Sequence, residues 1–166
     1  MTLIHKSDYV SSKLAERIEK LLNEARKRTI AVVNTTMVYT YYEVGRMIVE
    51  DEQQGEQRAE YGAELLKHLS EQLSSKFGKG FSAQNLANMR QFYLTYSKDE
   101  IFQTVSRESE SDFTLSWSHY LKLMRISNPE ERRFYEIEAK ENNWSLRELQ
   151  RQFDSSLYER LALSRD

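Results

Sequence analysis

No cysteine occurs in these 166 residues, which excludes disulfides, thiolate zinc sites and cysteine nucleophiles. Proline occurs once and glycine five times, too few for the turn density of a sandwich or barrel. Nowhere do about 18 apolar residues follow one another, as a membrane-spanning helix needs. The opening Met-Thr-Leu-Ile-His-Lys-Ser-Asp also lacks the apolar run of a signal peptide. The expectation is a soluble, cytoplasmic protein with no membrane partner. The chain is rich in helix-compatible residues, with 30% of its residues charged, and this predicts an all-α fold. Its length suits a single helical domain over 1–166 that buries a core without staples. The formal net charge of -2 argues against a protein that coats nucleic acid nonspecifically, because neutralising phosphates takes a basic surface.

Hydrophobic spacing divides the chain into four stretches. Over 1–55 a long helix is expected, running from about Asp8 to about Gln54. Leu14, Ile18, Leu21, Ala25 and Val32 recur on it in threes and fours, a narrow seam of the coiled-coil kind. Ala31, Asn34, Val38, Tyr41, Gly45 and Ile48 continue the pattern, which fits one helix or two collinear ones. A helix of this length needs a partner, the rest of the chain or a second copy, and Gly45 either admits a close backbone or marks a hinge. Asn34 reads as a hydrogen-bonded structural residue, and Tyr39, Tyr41 and Tyr42 as a wrapping of the core. Over 97–114 a polar, acidic, mobile connection is expected, with a short apolar turn at Ile101-Phe102. Over 115–166 helices follow: one capped by Ser116, one opened by Pro129 with Glu130 and Glu131 at its positive end, and one announced by a capping box of Ser145 and Glu148 with Trp144 stapled to Leu149. Arg147, Arg151, Gln152 and Arg160 form a second basic run, readable as ordinary solvated arginines paired to Glu148 and Glu159.

The stretch 56–96 carries the most information. Leu65, Leu66, Leu69 and Leu73 make an amphipathic helix that Gly78 can stop as a left-handed cap. Ser82 can then cap a second helix, with Phe81 packing on Leu86 as a hydrophobic staple. The result is a helix-turn-helix-like pair. On the second helix Leu86, Met89 and Tyr93 are expected to face inward, leaving Gln84, Asn88, Gln91 and Thr95 together on another face. Amide side chains can pair with adenine edges in a major groove, and Arg90 can address guanine or phosphate. From Lys67 to Tyr96 the local charge balance is +3 despite the acidic whole. The candidate DNA contacts are therefore Lys76, Lys79, Gln84, Asn85, Asn88, Arg90 and Gln91. An ordinary solvated face on a helical hairpin fits the same spacing.

Catalytic chemistry is not signalled. The three histidines, His5, His68 and His119, show no metal-ligand spacing, and no metal or cofactor is expected. Ser118 and His119 are sequence neighbours on an expected helix, about 100° apart around its axis, so they cannot form a nucleophile and base pair. Pro129-Glu130 followed by Glu138-Ala139-Lys140 imitates a metal-dependent nuclease string. Such a site needs strand alternation to bring its carboxylates together, and this segment is strongly helical.

Several strings in one order carry a resemblance. They are Tyr42-Glu-Val-Gly-Arg46, Ala59-Glu-Tyr-Gly62, Phe77-Gly-Lys-Gly-Phe-Ser82, Asn85-Leu-Ala-Asn-Met-Arg-Gln-Phe-Tyr93, Leu115-Ser-Trp-Ser-His-Tyr120, Phe134-Tyr135, Trp144-Ser-Leu-Arg-Glu-Leu149 and Leu157-Tyr-Glu-Arg160. Through these the chain resembles the N-terminal domain of the YhcG-type family of bacterial PD-(D/E)XK nucleases. The resemblance implies a helical domain placed ahead of a nuclease domain, with a role in DNA recognition or assembly. The family's catalytic half would follow Arg160, so no catalytic residue carries over onto this chain. The expected function is a noncatalytic module that binds double-stranded DNA, forms a homo-oligomer through the long N-terminal helix, and works with a C-terminal or separate nuclease domain. The alternative is a protein-interaction scaffold with no nucleic-acid contact.

Overall fold

In this computed structural model the backbone is described for residues 3–54, 58–98 and 113–164, and side chains for 12–54, 61–98 and 113–164. Most of the acidic connection expected over 97–114, including Ile101-Phe102, lies outside the described residues. The chain is all-α. In order come α1 (Leu3–Gln54), α2 (Arg58–Phe77), a 3-10 turn (Lys79–Phe81), α3 (Ala83–Tyr96), α4 (Trp117–Leu123), α5 (Pro129–Glu141), α6 (Leu146–Asp154) and α7 (Leu157–Leu163). No strand occurs among the described residues. The long first element is one continuous helix of 52 residues, not two collinear ones.

Two compact units divide the chain, Met1–Val33 and Asn34–Asp166. The first holds only the part of α1 up to Val33. Every described side chain in it, from Ser12 to Val33, is exposed, the seam residues Leu14, Ile18, Leu21, Ala25 and Val32 included. The Thr29 hydroxyl bonds back to the Ala25 carbonyl at 3.0 Å, so this polar group costs the helix little.

The second unit holds the core, in two clusters. One gathers Ile48, Leu86 and Met89 with Val44, Leu65, Leu66, Leu69, Leu73 and Phe81 around them, and so joins α1, α2, the turn and α3. The other is aromatic. Phe92 lies at its centre, with ring centroids of Trp117, Phe113 and Tyr120 at 5.2, 5.1 and 5.3 Å and that of Tyr42 at 6.0 Å. The pairs with Trp117 and Tyr42 are edge-on, and aromatic pairs of this kind add about 0.5–1.5 kcal/mol each beyond area burial. Leu123, Tyr135, Ala139 and Leu149 extend this cluster through α4, α5 and α6. The expected inward stripe of α3 is thus corrected. Leu86 and Met89 face in as read, but Phe92 and Tyr96 complete the stripe and Tyr93 is only half-buried. Tyr41 and Tyr42 pack as expected, whereas Tyr39 remains exposed.

Gly45 answers the choice between hinge and close approach. A Cβ there would lie 2.7 Å from the Met89 carbonyl carbon and 3.0 Å from Tyr93 Cβ, so α1 and α3 cross backbone to backbone within the second unit. The caps of the C-terminal helices also differ in part. Asn128 accepts from the amides of Glu130 and Glu131 ahead of Pro129. Ser145 accepts from the Glu148 amide at 3.2 Å, but Glu148 does not close the box: its carboxylate accepts from Arg151 at 2.7 Å and Gln152 at 2.6 Å. Ser116 makes no side-chain cap, because its Oγ meets His119 Nδ1 at 2.6 Å while His119 Nε2 reaches the Trp144 carbonyl at 2.8 Å. A carbonyl only accepts, so Nε2 carries the proton and the serine hydroxyl donates to Nδ1. The histidine is therefore a clip between α4 and the α5–α6 turn.

Buried phenols give the fold an alkaline limit. Burial first, then Tyr93 and Glu43, push the Tyr42 hydroxyl from 10.0 up to about 12. Burial, then Glu136, which accepts from its hydroxyl at 3.1 Å, raise Tyr120 well above the ordinary value. A raised folded pKa means that the folded state holds the proton more tightly. This contribution is fully present below pH 10.0 and disappears as pH climbs through about 12. Urea midpoints should therefore hold level up to pH 10.0 and fall beyond it, with a late class of phenolate absorbance appearing as helicity is lost. Uniform titration of all tyrosines near the ordinary value, with the helices intact, would contradict this packing.

Candidate nucleic-acid interface

The turn between α2 and α3 is fixed by residues that each satisfy a backbone group. Gly78 takes φ +88° and ψ -164°, an extended positive-φ backbone open to glycine and not the left-handed helical cap expected there, and its amide donates to the Ser74 carbonyl at 3.0 Å as α2 closes. The Ser74 hydroxyl donates to the Phe81 carbonyl at 3.2 Å and ties the 3-10 turn back onto α2. Ser82 is extended and its Oγ accepts from the Asn85 amide at 3.2 Å, so α3 begins where the cap was expected. Phe81 packs on the cluster that contains Leu86, as a staple would.

Asn85 is spent inside this geometry. Its Nδ2 donates to the Gly80 carbonyl at 2.5 Å and its Oδ1 accepts from the Trp117 indole at 3.0 Å. One amide thus holds the turn on one side and the start of α4 on the other. Arg90 is also engaged: its Nε donates to Glu52 of α1 at 2.6 Å, across a recess of about 390 Å³ also lined by Val49, Gln53 and Leu94. Glu52 itself is nearly buried, and its Oε1 passes so close to Gly62 that a Cβ there would sit 2.8 Å away.

The remaining candidates stay at the surface. Gln84 and Gln91 are exposed and Asn88 half-exposed along α3, and Lys76 at the end of α2 and Lys79 in the turn are exposed as well. The amides are pre-paired along the helix, Gln84 donating to Asn88 at 3.3 Å and Gln91 to Thr95 at 3.1 Å. Such i, i+4 bonds are worth only about 0.2–0.5 kcal/mol, so they order the face without locking it. Nothing in the sequence reports that Asn85 and Arg90 are engaged, since their partners lie 32 and 38 residues away.

The second basic run is largely taken up locally. Arg151 pairs with Glu148 at 2.7 Å and Arg160 donates to Ser155 at 3.1 Å, while Arg147 is exposed. Arg151 and Gln152 together hold the Glu148 carboxyl below its usual range. Glu130, Glu138 and Lys140 all lie on α5, as the helical reading requires. No group of three or more His, Asp or Glu that could hold a metal occurs among the described residues, and no described helix is long and apolar enough to cross a membrane.

Comparison with known proteins places these elements. The family model described as DUF1016 N-terminal domain matches residues 17–160. A protein of Escherichia coli (strain K12) named "Putative nuclease YhcG" is 41% identical over 169 residues, covering 88% of this chain and 45% of that protein. The chain thus spans about half the length of this relative. No solved structure matches.

Proposed function

Because this chain belongs to the DUF1016 N-terminal domain family, we propose that it is the noncatalytic DNA-binding and assembly module of a nuclease system. The observation that carries the reading is the exposed amide row of α3, preceded by exposed Lys76 at the end of α2 and Lys79 on a turn that Ser74 and Asn85 brace. A braced turn presents a helix at a set angle, as insertion into a major groove requires. On this reading Gln84, Asn88 and Gln91 meet base edges, and Lys76 and Lys79 meet phosphates of double-stranded DNA. Asn85 and Arg90 act from behind the surface, the first by holding the turn and the second by fixing α3 to α1. A nuclease domain, C-terminal or separate, supplies the cutting chemistry in the cytoplasm.

Salt dependence distinguishes phosphate contact from incidental exposure, because each phosphate neutralised contributes about 0.9 to the slope of log affinity against log salt. Titrating duplex DNA at two salt concentrations should show weaker binding by the Lys76→Ala/Lys79→Ala variant, with a slope shallower by about 2. Identical affinity and slope for variant and parent would remove these lysines from any interface with DNA.

One observation favours the second reading, a scaffold without nucleic-acid contact: the apolar seam of the first unit is exposed along its whole described length, on a chain of net charge -2. That reading predicts self-association indifferent to duplex.

A further inference from the structure

Within the first unit, Leu14, Ile18, Leu21 and Ala25 follow the four-three-four spacing of a coiled-coil seam, and they read as d, a, d and a. Ala15 and Leu22 then fall at e, and Arg17 and Glu24 at g. Leu14, Leu21 and Leu22 are 53%, 66% and 53% exposed, an apolar stripe that a stable helix ordinarily covers. The geometry points to an antiparallel two-stranded coiled coil between this segment and the same segment of a second copy, in the register that sets Ile18 against the second copy's Leu21. It rests on the assembly half of the function proposed above and not on the DNA-binding half.

Charge and volume select both the occupant and the direction. In an antiparallel pair g faces g, so Arg17 meets the second copy's Glu24, and two-fold symmetry makes the same contact twice. A segment carrying both signs at its g positions is complementary to itself. In a parallel pair g faces e, so Arg17 would meet Leu22 and Glu24 would meet Thr29, and neither contact is complementary. Volumes agree. The antiparallel register packs Leu14 on Ala25 and Leu22 on Ala15, large against small, whereas the parallel one stacks Ala25 on Ala25 and leaves a gap. Arg28, the next d position, decides most. Parallel chains would place it against its own copy, while the antiparallel register separates the two by about 25 Å at a rise of about 1.5 Å per residue.

The lack of cysteine in the whole chain makes disulfide trapping free of background. Mixing full-length Leu14→Cys and Ala25→Cys variants under mild oxidation should yield the mixed disulfide dimer, and Ala25→Cys alone should give none. Cross-linking by Ala25→Cys alone would overturn the antiparallel direction. A chain that sediments as a monomer at every concentration would overturn the dimer. Reversing one charge, Arg17→Glu or Glu24→Arg, should weaken dimerisation about tenfold, since two attractive edge pairs become repulsive. Combining both reversals should restore it. Indifference to the single reversals, with helicity unchanged by circular dichroism, would overturn the register. All these measurements are made without DNA, so they separate from the salt-slope test. A monomer that binds duplex through Lys76 and Lys79 would sink the coil and leave DNA binding standing, and a trapped dimer blind to duplex would do the reverse.

Discussion

Gly45→Val should cost this protein about 3 kcal/mol or more, at or beyond the upper end of what overpacking normally exacts. The new side chain would meet the carbonyl of Met89 and the Cβ of Tyr93, and backbone atoms cannot rotate aside as a flexible side chain can. Either α1 and α3 move apart, exposing Ile48 and Met89, or α3 bends. Gly45→Ala makes the sharper comparison. On a free helix it would gain about 1 kcal/mol of propensity, but here the same steric conflict outweighs that gain, so it too should destabilise. For a chain of this length, a loss of about 3 kcal/mol lowers the melting temperature by roughly 6–12 °C. Thermal melts followed by circular dichroism decide the matter: a Gly45→Ala variant that melts higher than the parent would show that no backbone crosses there.

The second large effect is expected at Phe92. Its ring is fully buried and touches rings from α1, α3 and α4, so Phe92→Ala should lose about 3–5 kcal/mol through transfer and cavity terms together. Tyr93→Ala, one residue along, removes a half-buried ring and should lose much less. Urea unfolding of the two variants provides the check. A larger loss at Tyr93 than at Phe92 would mean that α3 is rotated by most of a third of a turn from the orientation described.

That pair also shows what sequence reading could and could not reach. Ser82, Phe81, Pro129 and Ser145 were legible because a cap or staple is chemistry among residues a few positions apart. The rotation of α3 was only partly so. Gln91-Phe92-Tyr93-Leu94 sets three bulky residues in a row, and spacing alone does not say which of them points inward. The engagement of Asn85 by Trp117 and of Arg90 by Glu52 was not legible at all, since local periodicity carries no information about partners more than thirty residues away. The same holds for the clip from Ser116 through His119 to Trp144, where sequence drew attention to Ser118 because it stands next to the histidine. Of the candidate surface, the exposed row was readable from helical phase, and the division between outward residues and those that brace them from within required the fold.

The grip of Asn85 on two neighbours has a mechanical corollary. The Gly80 carbonyl and the Trp117 indole hang on opposite ends of a single planar group. One rigid plate therefore joins the glycine loop to the ring that packs against Tyr41 and Phe92. Replacing Asn85 would therefore release the glycine loop and the indole at once.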